Sequence, residues 1–287
     1  MTPTLTLTQG LLRCDLLPAV GGSLGGLWYQ GRGLLRALAP DFHSGLQTAS
    51  YPLLPYSNRI GHCRLHWDGQ DYLLPPNFAP EPHCIHGVGW QRAWQVLDSG
   101  PSHALLAYRH AGDAAWPFAF ESQQHFALQS QSLEMRLSIT NRADKPAPVG
   151  MGWHPYFVKG PQTRLQFTAR ARWEMGPDKL PSQRLQHAGL DGDCSELDLD
   201  HCFDGWAGQV LLSDAHHRLR LESDLDCLVV YTTPTLDCIA VEPVSHVNNA
   251  LALAQARGQT PQSLGLRVLQ PGETFAASMN LHIEETA

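Results

Sequence analysis

The chain has 287 residues, 43% of them hydrophobic, enough to bury a sizeable core. Its 20 basic and 27 acidic residues give a formal charge of -7, and the absence of any Lys/Arg run argues against a nucleic-acid partner. Seven scattered cysteines form no CxxC pair, no apolar run approaches a membrane span, and residues 1–8 carry no signal-peptide pattern, so a cytoplasmic protein with reduced thiols and no membrane partner is expected.

Taken in chain order, the pattern is one of short strands and turns. Residues 4–8 alternate, 105–108 are apolar, and 118–126 are strand-like. Residues 132–140 alternate cleanly, placing Leu133, Met135, Leu137 and Ile139 on one face. Residues 219–222, 228–232 and 278–283 continue the pattern, and 25 glycines and 21 prolines punctuate it. One short helix is expected over 249–258, with Asn248 or Asn249 as N-cap and Gly258 as C-cap. With no repeat, low-complexity tract or linker, residues 1–287 read as a single all-β domain.

Residues 150–157 (GMGWHPYF) put one histidine into a strand of glycines and aromatics. In an extended chain Gly150, Gly152, His154 and Tyr156 share one face, and Met151, Trp153, Pro155 and Phe157 the other. The second face reads as core. On the first, the glycines are expected to leave ligand space beside the imidazole and the phenol. Residues 237–243 (DCIAVEP) place Cys238, Ala240 and Glu242 on one face in the same way. His154 and Glu242 both precede a proline, which biases each towards extended backbone. A histidine and a carboxylate aimed at one substrate from opposite sides are what paired proton donation and removal require.

Three further segments complete the constellation. Residues 55–61 (PYSNRIG) contain Asn58 and Arg59, whose planar guanidinium suits ligand oxygens or, equally, a surface ion pair. Residues 82–90 (PHCIHGVGW) contain His83 and His86, which are either half of a metal site or a loop that hydrogen-bonds a ligand. The spacing lacks a second half, so no metal is expected. Residues 199–206 (LDHCFDGW) offer Asp200, Asp204 and Trp206 for hydroxyl binding and sugar stacking, or for turn chemistry and packing.

In this order the motifs (Asn-Arg, His-Gly, His-x-Tyr-Phe, Asp-x-x-Phe, then a late glutamate strand) resemble the aldose 1-epimerase, or galactose mutarotase, family over most of the chain. The resemblance implies a large antiparallel β-sandwich with an open sugar groove and no cofactor. It implies His154 as general acid, Glu242 as general base, and Arg59, His86 and Asp200, with Asn58 beside them, as substrate-binding residues. The chain departs from galactose-specific members at Trp153, where asparagine is usual, at Pro155, and after Glu242, where Pro-Val-Ser-His replaces Thr-Gln. It is also shorter than many members. These departures resemble a bacterial galactose mutarotase-like subgroup and leave the sugar open. Two alternatives stand beside a free-aldose mutarotase: a hexose-6-phosphate mutarotase, and a non-catalytic sugar-binding or sensing protein on the same fold.

Overall fold

A computed structural model describes residues 4–38 and 42–285. Among them, two large antiparallel sheets dominate. The nine-stranded sheet runs in the order Gln95–Ser99, His103–His110, Phe120–Leu128, Ser132–Asn141, Thr274–Glu285, His217–Ser223, Gln209–Ser213, Arg164–Thr168 and Gly189–Asp193. The eight-stranded sheet runs Pro181–Gln186, Ala171–Met175, Leu199–Asp204, Cys227–Thr232, Cys238–Val244, Gly152–Trp153 and Pro52–Leu53. Its eighth strand, Tyr156–Val158, also pairs with Cys238–Val244.

The alternation read from the sequence decides which side chains meet. Leu133, Met135, Leu137 and Ile139 are all buried, as are Met279, Leu281, Leu219 and Leu221 on neighbouring strands. They join one core with Phe203, Leu228, Val230, Ile239 and Val241 of the eight-stranded sheet, together with Trp153 and Phe157. The eight-stranded sheet is buried on its other face too. There Cys202, Cys227, Val229 and Val244 pack with Tyr51, Trp90 and Trp173 in a second cluster. Residues covered on both faces lose the polar half of the alternation, which is why 227–232 and 238–244 read as nearly continuous apolar runs.

The helix spans Ala250–Ala256 and packs Ala250, Leu253 and Ala254 onto this second cluster. Asn249 is its N-cap, but its side chain accepts a hydrogen bond from Gly61 N–H (3.0 Å) rather than capping the helix. The C-cap is Arg257, not Gly258; the glycine follows one residue later at φ 61°, the left-handed position that commonly ends helices. No helix among the described residues is long and apolar enough to cross a membrane.

Candidate active site

His154 and Glu242 meet because two strands share a register. Gly152 lies opposite Val244, and Tyr156 opposite Ala240, so His154 falls opposite Glu242 on the same face. Pro155 and Pro243 lack the N–H donors that would continue the ladder between those pairs. The chain is held there by other bonds: His154 N–H donates to Tyr51 O (3.0 Å), and Tyr156 N–H to Ala49 O (2.9 Å).

The two functional groups are side by side rather than on opposite sides of a substrate. His154 Nε2 lies 3.1 Å from Glu242 Oε1, and both side chains are buried. His154 Nδ1 and Glu242 Oε2 are also buried, and neither has a protein partner among the described residues. The histidine ring stacks on Tyr51 (centroids 4.7 Å apart) and meets His86 edge-on (5.2 Å).

Burial disfavours the charged form of both groups. It lowers the His154 pKa well below the ordinary imidazole value, with help from His86 and Arg36. It raises Glu242 well above the ordinary carboxylate value, with Asp200 and Cys202 adding to the shift and Arg59 opposing it. The 3.1 Å contact is within hydrogen-bond distance, and a single proton shared across it avoids the cost of two isolated buried charges.

Above the pair opens a cleft of about 320 Å³. All six candidate residues line it: Asn58, Arg59, His86, His154, Asp200 and Glu242. The Asn-Arg and His-Gly motifs are two interlocked turns. Asn58 (φ 54°) and His86 (φ 59°) both adopt the left-handed region. His86 N–H donates to Asn58 O (2.9 Å), and Asn58 N–H donates to His86 Nδ1 (3.1 Å). That second bond puts the His86 proton on Nε2. Burial, then the nearby Arg59 charge, lower the His86 pKa to about 3, so it is a neutral donor. Gly87 is required because a Cβ there would sit 1.9 Å from Leu54 O.

Arg59 is not at the surface. It pairs with Glu81 through Nε–Oε2 (2.9 Å) and Nη2–Oε1 (3.1 Å), and lies 4.0 Å from Asp200. Lys179 Nζ also donates to Glu81 Oε1 (2.6 Å). Burial raises the Glu81 pKa, but the two cations outweigh it and hold the group at about 2. Glu81, Lys179, Tyr51 and Tyr231 line the cleft as well, and sequence reasoning missed them. Glu81 lies only two residues before His83, and Gly176-Pro177-Asp178 marks the hairpin turn that carries Lys179, but neither signal shows that the two meet.

Other expectations are corrected. Gly150 and Gly152 open no ligand space: a Cβ on Gly150 would meet the His246 ring at 2.1 Å, and one on Gly152 would meet Pro243 O at 2.4 Å. His246, in turn, accepts Ser57 N–H at Nε2 (3.1 Å), so the glycine makes room for a buried brace. His83 faces away from the cleft, with Nδ1 accepting His62 N–H (2.9 Å) and Nε2 bonded to Asp178 O (2.8 Å). Among the described residues no His, Cys, Asp and Glu group is arranged to hold a metal ion. Asp204 binds Arg184 and the Trp173 indole, and Trp206 donates to Gln209 O (2.9 Å), so neither serves the cleft.

The sheets have the galactose mutarotase-like arrangement, with a histidine–glutamate pair at the floor of an open polar cleft. The chain belongs to the aldose 1-epimerase family, whose profile matches residues 3–282. Uncharacterized protein YphB of Escherichia coli (strain K12) is 28% identical over 305 residues, covering 97% of this chain and 98% of that one. The crystal structure of a putative aldose 1-epimerase from Escherichia coli K12 superposes with a TM-score of 0.89 at 26% identity, covering 99% of both chains. The aldose 1-epimerase of Escherichia coli (strain K12) is 33% identical over 108 residues, 36% of this chain and 30% of that one.

Proposed function

We propose that the protein is a mutarotase that interconverts the α and β anomers of a free aldose. The observation that carries this reading is the 3.1 Å approach of His154 Nε2 to Glu242 Oε1 at the cleft floor. The C1 hydroxyl and the ring oxygen of a pyranose are bonded to one carbon, so they need an acceptor and a donor side by side. The entering sugar replaces the His154–Glu242 hydrogen bond. With the shared proton on His154, the Glu242 carboxylate takes the C1 hydroxyl proton while the imidazolium Nε2–H delivers its own to the ring oxygen. The C1–O5 bond breaks, the aldehyde rotates about C1–C2, and closure with the two roles reversed gives the other anomer. Each positioned proton transfer contributes ~10²–10⁴-fold. Arg59, His86, Asn58 and Asp200 bind the hydroxyls. The chemistry draws on no cofactor.

A neutral sugar is favoured over a 6-phosphate because the cleft's cations are already spent. Arg59 and Lys179 share Glu81, and Asp200, 4.0 Å from Arg59, supplies the second carboxylate that balances the two cations. Lys159 is bound to Thr233 O (2.6 Å), Arg92 to Asp113, and Arg64 lies outside the cleft. A dianion needs several charge-assisted donors to offset its desolvation. Anomeric equilibration of glucose, galactose and glucose 6-phosphate, followed by NMR or polarimetry, tests the reading. A free aldose is expected to lead in kcat/KM by about tenfold or more, equivalent to ~1.4 kcal/mol of transition-state stabilisation. The reverse preference would move the protein to sugar phosphates, and no turnover of any sugar would leave the non-catalytic alternative.

A further inference from the structure

Three segments far apart in sequence line one wall of the cleft, through Arg59, Glu81 and Lys179, and all three meet on His83. The Asn-Arg segment continues through Gly61 to His62, and Glu81 lies two residues before His83. The turn at 176–180 joins Ala171–Met175 to the edge strand Pro181–Gln186. His83 is buried, and both of its ring nitrogens are used. Nδ1 accepts His62 N–H (2.9 Å), which puts the ring proton on Nε2, and that N–H donates to Asp178 O (2.8 Å). The next residue, Lys179, is left-handed (φ 59°) and reaches Glu81 Oε1 (2.6 Å), the oxygen that also accepts from Arg59 Nη2 (3.1 Å).

The two bonds that tie this turn to the motif loops differ in strength. The Lys179 side chain is 55% exposed, and an exposed ion pair holds a long side chain only weakly. The bond from His83 is enclosed, and a buried donor is costly to leave without its acceptor. The enclosed bond therefore fixes the end of an edge hairpin. We propose that His83 is a positioning residue for sugar binding: it pins the Asp178–Lys179 turn and, through Lys179 and Glu81, sets the Arg59 guanidinium at the cleft wall. The proposal rests on the mutarotase reading above, in which Arg59 binds a sugar hydroxyl. His83 stands apart from His154 and Glu242, so it acts on binding and leaves the proton transfers alone.

Two substitutions at His83 separate its two bonds. His83→Asn keeps an acceptor near Nδ1 for His62 N–H and removes the donor to Asp178 O, whereas the longer His83→Gln places an amide N–H near Nε2. His83→Asn is expected to raise KM for glucose roughly five- to tenfold with kcat within about twofold of wild type, the pattern of lost uniform binding. His83→Gln is expected to recover most of that loss. Lys179→Ala, an exposed change that leaves the fold intact, is expected to raise KM similarly. Combining it with His83→Asn should add little, because the two residues act on Arg59 in series. An unchanged KM in either single variant, additive effects in the double variant, or no recovery in His83→Gln would each overturn the proposal. If the wild-type protein turns over no aldose, the mutarotase reading fails instead, and hydrogen exchange reads the turn without turnover. Faster exchange of the Lys179 amide, which donates to Gly176 O (2.9 Å), in His83→Asn but not in His83→Gln supports the proposal. Equal exchange in all three proteins overturns it.

Discussion

His154 and Glu242 are cross-strand neighbours, set opposite each other because the Gly152–Val244 and Tyr156–Ala240 pairs keep the same register on either side of a break in the ladder. The spacing of the pair is thus a property of the sheet, since cross-strand residues on one face stand with their Cβ atoms ~4.5–5.5 Å apart. A one-residue slip of either strand would turn one group into the core and separate the pair.

Replacing Glu242 by Gln keeps the shape and removes the acceptor for the C1 hydroxyl proton. Mutarotation of glucose is expected to fall by ~10²–10⁴-fold, with the circular dichroism spectrum unchanged. Near-wild-type rates in a folded variant would contradict the assigned role.

The pH–rate profile follows from the shared proton. The active form has one proton on the pair. Adding a second protonates Glu242 while His154 is charged, and burial opposes it, so the acid limb falls well below the ordinary imidazole value. Removing the shared proton leaves a buried carboxylate beside a neutral ring, so the basic limb lies well above the ordinary carboxylate value. A plateau between two limbs is expected in kcat/KM. A single rising limb near the ordinary imidazole value would show that His154 titrates as a free group.

Glu81 links stability to acid pH. Its folded pKa, about 2, lies below the ordinary carboxylate value. Its contribution is therefore fully present above that ordinary value and is lost as pH falls through the interval to about 2. Glu81→Gln is expected to lower Tm at neutral pH, with the difference from wild type shrinking as the solution is acidified. A difference in Tm that is constant from neutral to strongly acidic pH would exclude the Arg59–Glu81–Lys179 pairing as its source.

Gly150→Ala tests the packing behind the site. The new methyl would meet His246 at 2.1 Å and displace the ring that accepts Ser57 N–H. Overpacking of this kind typically costs about 1–3 kcal/mol, readable as a lower denaturant midpoint. An unchanged midpoint would show that His246 moves aside freely.

The sequence by itself determined the class of fold and the candidate residues that meet in the cleft. Period-2 alternation at residues 132–140, turn residues between short runs, and two pre-proline strands holding a histidine and a glutamate are local facts, and local backbone physics is enough to read them. Even the Asn58-Arg59 and His86-Gly87 motifs carry a local cause, because left-handed turns select Asn and Gly. Tertiary structure alone decided who faces whom. Register made His154 and Glu242 neighbours instead of opposing groups. The packing of His246 turned an apparent ligand space at Gly150 into a filled one. A hairpin turn brought Lys179 to Glu81, beside Arg59, where the three charges meet at the cleft wall. Such contacts join residues far apart in the chain, and no pattern of neighbours along the sequence encodes them. They exist only once two buried sheets have closed over a common core.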